Sequence, residues 1–471
     1  MYGSCEAMFS KREKRDKQID IEAGSAGQKR KLIISLTWPA LAENVFMSTI
    51  SMVAMIMVGD LGSYAISAVG LITQPRFLLM AAFIAMNTGT TALVAQYKGA
   101  GNNEGANSVL NQALILSLAL AVTICTAMLI FAKPLLNMMA GGGLSDQIVS
   151  EALVYFRIQI YGFPIQTFTF AINAALRGAG KTKETFYNNA VANIVNVAMN
   201  FCLIYGRFGF PRLEVAGASY AGVIGQCVAF IMALSIVVRG KHYLHLKFRN
   251  LLKIDWSMIK RIMNIGIPSL FEQIIMRVGS IWFTTIVTAL GDVAYAAHMV
   301  GMNIEMLAFS VGMAFGTAAT TLMGQCIGRK RIDLAKIYIR MTQRLGLIVS
   351  LVITFVLFFF GATITGWYSK EMMIIALSAD MLKIYAVINP IVNARTIYIS
   401  GLRGAGDAKF MAVISFVGVI VVRPLFAIVL VNVFEMGLTG IWLALGADFL
   451  ISHVLAVFRY RREKWTRLNI L

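Results

Sequence analysis

The stretch ALRGAGKT occupies Ala175–Thr182. With Ala admitted for the first Gly, it has the spacing of a phosphate-binding loop. Such a loop needs a strand before it and a helix after it, so that backbone N–H groups aim at phosphates. Here the preceding residues form a long apolar run. A near copy, GLRGAGDA, sits at Gly401–Ala408, with Asp407 in place of Lys181 and Ala408 in place of Thr182. A phosphate loop does not keep its function without its Lys. The sequence therefore favours helix-ending glycines and a tight turn over nucleotide binding. Arg177 and Arg403 are expected to anchor at lipid headgroups.

The two copies belong to a longer repeat. Residues 229 apart keep matching: Pro39 with Pro268, Leu41 with Leu270, Glu43 with Glu272, Gly62 with Gly291, Thr91 with Thr320, Gln96 with Gln325 and Gly99 with Gly328. The match resumes at 226 with Pro164 and Pro390, then with the two LRGAG segments. One half is thus a copy of the other.

Composition says what kind of unit is repeated. Of 471 residues, 58% are hydrophobic and 14% charged, and the mean hydropathy is +0.72. That is too apolar for a soluble chain of this length. Twelve candidate spans lie near 33–58, 68–95, 109–132, 151–176, 186–206, 216–238, 260–290, 296–324, 343–367, 378–402, 410–433 and 438–458. Each can cross about 30 Å of hydrocarbon. The expected fold is an all-α polytopic membrane protein, two six-helix bundles related by a pseudo-two-fold axis along the membrane normal. The expected organisation is a basic, disordered tail over 1–31, lobes over 32–239 and 260–459, a connector over 240–259 and a basic tail over 460–471. The first apolar run is too long for a signal-peptide core and lacks a small-residue cleavage site.

The net charge of +19 is unevenly placed. Basic residues fill the N-terminal tail, the Lys181–Lys183 turn, the connector, GRKRIDLAKIYIR and the C-terminal tail. The alternate connections hold little beyond Lys133, Arg207, Arg212 and Lys370. The basic set should face the cytoplasm, which places both termini inside a cell membrane. Anionic lipid accounts for the excess without nucleic acid. The five cysteines, Cys5, Cys125, Cys202, Cys227 and Cys326, are scattered without a CxxC. Neither a disulfide framework nor a metal site is expected, and no cofactor.

Several segments together resemble the multidrug and toxic compound extrusion (MATE) family. They are the Pro near the start of spans one and seven, VGDLGSYAISAVGL, ALGDVAYAAHMVGMNIE, GTAATTLMGQCIGR and both LRGAG turns. The resemblance covers about residues 30–460. It implies a secondary exporter of small amphiphilic, often cationic, organic compounds, driven by a proton or sodium gradient. Many members carry an Asp on the first helix about four turns after the Pro, or a Glu on the seventh about two turns after it. Here those places fall near Ala54 and Met276. The family's coupling site therefore does not transfer to this chain.

Ionisable residues inside a span are functional candidates. Glu43 and Glu272 each lie one turn after a Pro, about 15 Å into their spans. They are candidates for proton or sodium coupling; the alternative is a carboxylate that caps a Pro-disturbed backbone or pairs with a buried Arg. Arg277 and Glu305 lie at similar depth on sequential helices and are expected to form a buried pair. Arg76, at the place equivalent to Glu305, has no evident partner. Asn189, Asn193, Asn196 and Asn200 fall on one helix face. They either line a cavity or bond between helices, and Asn173 can join them. Gln74 and Asn303 complete the cavity-lining candidates.

The four histidines, His242, His245, His298 and His453, form no motif with acids or Cys, so an enzyme is not expected. A flippase for a lipid-linked precursor would want a wide, strongly basic cleft, and a receptor would move nothing. The favoured reading is a monomeric antiporter with alternating access, whose partners are an organic substrate, a coupling ion and the bilayer.

Overall fold

The computed structural model describes residues 25–140, 145–239, 243–246 and 253–468. Twelve long helical segments follow one another. They are α1 (Ala26–Gly59), α2 (Ser63–Gly99), α3 (Asn103–Ala140), α4 (Asp146–Gly178), α5 (Thr182–Tyr205), α6 (Glu214–Val238), α7 (Trp256–Thr288), α8 (Asp292–Gly328), α9 (Ile332–Gly366), α10 (Met372–Gly404), α11 (Ala408–Val433) and α12 (Gly437–Arg461). Ten of them are long and apolar enough to cross a membrane. The exceptions, α4 and α5, carry the Gln and Asn residues that interrupt their apolar runs.

Most helices outrun the expected spans. α1 starts at Ala26, inside the segment expected to be a disordered tail; residues 1–24 lie outside the described residues. The reason is a cap: Gln28 Oε1 accepts the Ser25 N–H at 3.1 Å, satisfying a donor near the helix start. α9 begins at Ile332, where Arg331 pairs with Asp333 at 2.8 Å. The C-terminal tail also packs. A 3₁₀ turn over Lys464–Arg467 buries Trp465, which stacks on Tyr460 at 5.6 Å. α11 is not a regular α-helix, since Phe416–Val422 and Val429–Val433 are π-helical on either side of Arg423–Ile428.

The repeat is visible in the packing. α1 packs on α8 as α7 packs on α2, and α2 also meets α8 between the lobes. Within the lobes, Thr91 Oγ1 donates to Ala174 O at 3.0 Å, and Thr320 Oγ1 donates to Ser400 O at 2.8 Å.

The LRGAG segments take their residues from this packing. A Cβ at Gly178 would lie 2.4 Å from Thr91 O, and one at Gly404 would lie 2.3 Å from Thr320 O. The first Gly of each segment therefore lets neighbouring helices touch. The second, Gly180 and Gly406, has φ of 75° and 92°, where a side chain would be strained. The tight-turn reading holds for that second Gly. Lys181 meets no phosphate-loop geometry: it opens α5 and pairs with Glu184 at 3.7 Å.

Both LRGAG turns lie at one end of the molecule, where the lobes are sewn together. Gln96 Nε2 donates to Gly404 O at 3.0 Å and Gln325 Nε2 to Gly178 O at 3.2 Å. Thr321 Oγ1 adds a bond to Arg177 O at 3.0 Å. Backbones touch here: a Cβ at Gly99 would lie 2.0 Å from Gln325 O, and one at Gly328 would lie 1.9 Å from Gln96 O.

Candidate functional site

Pro39 and Pro268 lie inside α1 and α7. Proline supplies no N–H to the helix ladder and crowds the preceding turn. One turn later come Glu43 and Glu272, both buried. A buried carboxylate requires a partner, and the LRGAG arginines provide it. Arg177 Nη1 lies 3.3 Å from Glu43 Oε1, and Arg403 Nη2 bonds Glu272 Oε1. Arg177 and Arg403 are thus not headgroup anchors. Each reaches from the end of the fourth helix of its lobe back to the first. Of the two readings left open for the glutamates, pairing with an Arg describes this conformation, and the two arginines are part-buried.

The surroundings of the two pairs differ. Glu43 also accepts from Asn189 Nδ2 at 2.7 Å and Thr185 Oγ1 at 3.5 Å. Glu272 accepts from Ser415 Oγ at 3.1 Å. Asn173 Nδ2 donates to Asn189 Oδ1 at 3.3 Å, and Asn188 Nδ2 to Asn173 Oδ1 at 3.5 Å. A relay of amides thus leads from α4 and α5 to the carboxylate on α1.

Asn189 also faces a chamber of about 420 Å³ between α1, α2, α4, α5 and α6. Asn193, Asn196 and Asn200 continue its wall, so the Asn stripe of α5 does look into a cavity. Part of it bonds along its own helix, Asn193 Nδ2 to Asn189 O at 2.7 Å and Asn200 Nδ2 to Asn196 Oδ1 at 3.2 Å. The opposite wall supplies Gln159, Gln166 and Thr169 from α4 and Gln226 from α6, which sequence reasoning missed. Met47, Met55 and Phe170 provide apolar surface, and Arg76 one charge. A spacing search could have found Gln159 and Gln166, which share a face of α4. Gln226 stands alone in an apolar helix and gives no such signal.

Other expected placements fail. Arg277 does not meet Glu305. Its guanidinium lies over the ring of Phe77 on α2, 4.0 Å from the centroid, in the seam between lobes. Glu305 is buried in the C-terminal lobe, and its Oε2 has no hydrogen-bond partner among the described residues. Similar depth did not imply facing directions: the two side chains leave their helices on different sides. A buried ion pair of that lobe is instead Arg423 with Asp448, at 2.9 and 2.5 Å through Nε and Nη2. Asn303 is exposed and bonds its own helix at Met299 O, 2.7 Å away, rather than lining the chamber. Asn173 sits behind the wall. The side chain of Gln74 lies outside the described residues.

A two-lobe helical bundle with a polar chamber beside a buried ion pair is the architecture of a membrane transporter. Comparison with known proteins identifies its family. The MatE family profile matches twice, over residues 39–202 and 268–429, one match per repeat, and the chain belongs to that family. It is a multi-pass membrane transporter and not an enzyme. A probable multidrug resistance protein NorM of Thermotoga maritima is 28% identical over 443 residues, covering 94% of each chain. The uncharacterized transporter YisQ of Bacillus subtilis is 29% identical over 440 residues, covering 92% of this chain and 94% of its own. Among solved structures, an outward-facing multidrug resistance MATE family transporter of the MOP superfamily superposes with a TM-score of 0.87. Its identity is 21%, with 96% of this chain and 99% of that one covered. At that identity the likeness is one of fold.

Proposed function

We propose that the chain is a secondary active exporter of small amphiphilic organic compounds, an antiporter driven by an inward proton or sodium gradient. The lobes are residues 32–239 and 260–459, they rock about the seam between them, and a single chain carries the whole path. The basic ends face the cytoplasm of a cell membrane, by charge asymmetry. In that orientation the sewn LRGAG end is the closed cytoplasmic side.

One observation carries the coupling. Asn189 lines the chamber and donates to Glu43 at 2.7 Å. A compound that engages the Asn189 amide competes with Glu43 for its N–H. Movement of α5 or α1 that also parts Glu43 from Arg177 leaves a buried carboxylate without its partner. That group then takes up a cation, and a proton suits it best, because a lone carboxylate can take a proton whereas sodium wants several oxygen ligands. The switch works only if the two conformations hold the cation with unequal affinity. Breaking the Arg pair in one of them supplies that difference.

The test is Glu43→Gln and Glu272→Gln in proteoliposomes, with proton and sodium gradients varied separately. Loss of uphill export in Glu43→Gln, with counterflow retained, is the expected result. If both variants still drive uphill export, the symmetric pair is structural and the coupling site lies elsewhere.

A further inference from the structure

The chamber wall carries one formal charge, and it is positive. Arg76 projects from α2 into the cavity, and none of the lining residues is acidic. Arg76 forms no ion pair among the described residues. Three carboxylates of this lobe have partners of their own. Glu43 lies behind Asn189 and is paired with Arg177. Asp60 accepts from Tyr205 Oη at 2.6 Å, and Glu214 holds Arg212 at 3.1 Å and Tyr64 Oη at 3.1 Å. The rest of the polar wall is neutral, amides together with the hydroxyls of Ser51, Thr73, Thr169 and Tyr155. The side chains of Gln166 and Gln226 make no hydrogen bond among the described residues and can turn either end to a ligand.

We infer that the compound this chamber takes is an amphiphilic organic anion, its acid group on Arg76 and its apolar body against Met47, Met55 and Phe170. The inference rests on the exporter reading above and names the substrate class of that site. A cationic compound would have to enter a low-dielectric chamber whose sole uncompensated charge repels it. An anion finds a guanidinium whose planar fork matches a carboxylate or sulfonate. Amides along α4, α5 and α6 then serve whatever neutral polar groups the compound carries. They discriminate weakly, which suits a site for more than one compound.

The probes are three dansyl compounds on one scaffold: dansylglycine, dansylglycinamide and the dansyl amide of a quaternary ammonium ethylamine. Binding to the purified full chain is read by dansyl fluorescence, and transport by counterflow and by gradient-driven efflux. The acid is expected to bind tightest and the quaternary ammonium compound weakest. In Arg76→Gln the preference for acid over amide should fall by at least about tenfold, as expected for a lost charge-assisted pair; Arg76→Lys should restore part of it. If Arg76→Gln does not fold, the wild-type order and Arg76→Lys still decide the matter. Tighter binding of the quaternary ammonium compound overturns the inference. So does an acid preference that survives in Arg76→Gln. If the acid binds in the expected order but no gradient drives any of the three, it is the exporter reading that fails.

Discussion

The two lobes descend from one repeat, yet their interiors have become opposites. In the N-terminal lobe, Gln159 of α4 donates to Ser219 O and Oγ of α6, both at 3.3 Å, at the wall of a chamber. α10 follows α4 at a spacing of 226, and the ends of α12 follow those of α6 at 223. In that register Gln159 becomes Tyr385, Ser219 becomes Trp442, Gly225 becomes Asp448 and Gln226 becomes Phe449. Tyr385 and Trp442 meet edge to face with centroids 6.3 Å apart, and both are buried. The Asn stripe fares likewise. Asn189, Asn193, Asn196 and Asn200 correspond to Ser415, Val419, Val422 and Phe426. Even the charge at one equivalent position changes sign, Arg76 in one lobe and Glu305 in the other. What stayed the same is the Glu–Arg pair and the Gln–carbonyl bonds of the seam. The duplicated features are those that hold the lobes together; the diverged ones shape their interiors.

The largest effect should come from a buried ion pair that exists in one lobe alone. Arg423 and Asp448 occupy the places of Val197 and Gly225 in the other lobe. Gly418, in the π-helical part of α11, makes room for them, since a Cβ there would lie 2.1 Å from Asp448 Oδ1. Arg423→Met leaves Asp448 buried and unpaired, which should cost about 3–5 kcal/mol. The readouts are folded yield and the unfolding midpoint in detergent. Arg423→Met combined with Asp448→Leu should recover part of the loss. If the double substitution is as damaging as the sum of its parts, the pair is not the stabilising unit of this lobe.

A smaller loss of stability and a sharper loss of function should follow when the N-terminal lobe is made to resemble its partner. Ser219→Trp places an indole where Trp442 stands in the other lobe. Overpacking should cost about 1–3 kcal/mol, and the protein should still fold. Counterflow and dansylglycine binding should drop to background, because the ring takes the buried place where Ser219 holds Gln159 and pushes that wall residue into the chamber. Retained transport would mean that compounds travel by the seam or through the C-terminal lobe, and the contrast between the interiors would lose its functional meaning.

Much of the architecture is written in local pattern. Twelve apolar runs, the doubled LRGAG and the offsets of 229 and 226 define two parallel six-helix lobes before any coordinate is known. Glu43 and Glu272 stand out for the same reason, as charges where charges are costly. Their partners were misplaced because Arg177 and Arg403 lie beside glycines near span ends, where a headgroup role is the ordinary reading. That reading counts depth along one helix and ignores where a long side chain can return. The failed pairing of Arg277 with Glu305 has the same origin: depth is legible in sequence, direction around the helix axis much less so. The Asn stripe succeeded because four residues fix a face, whereas Gln226 and Arg76 are single points on apolar helices. The chamber itself is a matter of what neighbouring helices leave empty. It became readable only with Gly222 and Gly225 seen opposite α5.

The smallest effect should belong to the seam, and here the lobes should behave alike. Gln96→Leu and Gln325→Leu each remove one bond to an LRGAG carbonyl in the opposite lobe. Each loss weakens the closed LRGAG end by about 0.5–1.5 kcal/mol. A conformational equilibrium should then move about two- to tenfold toward opening. The bonds are nearly equal, at 3.0 and 3.2 Å, and they bridge equivalent helices. The two variants should therefore shift the equilibrium by the same amount, although one residue comes from the lobe with the chamber and the other from the lobe that is filled. The measurement is the rate of disulfide formation between cysteines introduced at Ala100 and Arg329, across the closed end, in an otherwise cysteine-free chain. Both variants should slow it equally, and the double variant should slow it by the product of the two. A slowing confined to Gln96→Leu would mean that the chamber lobe also governs closure, and the division between a shared moving frame and diverged interiors would fail.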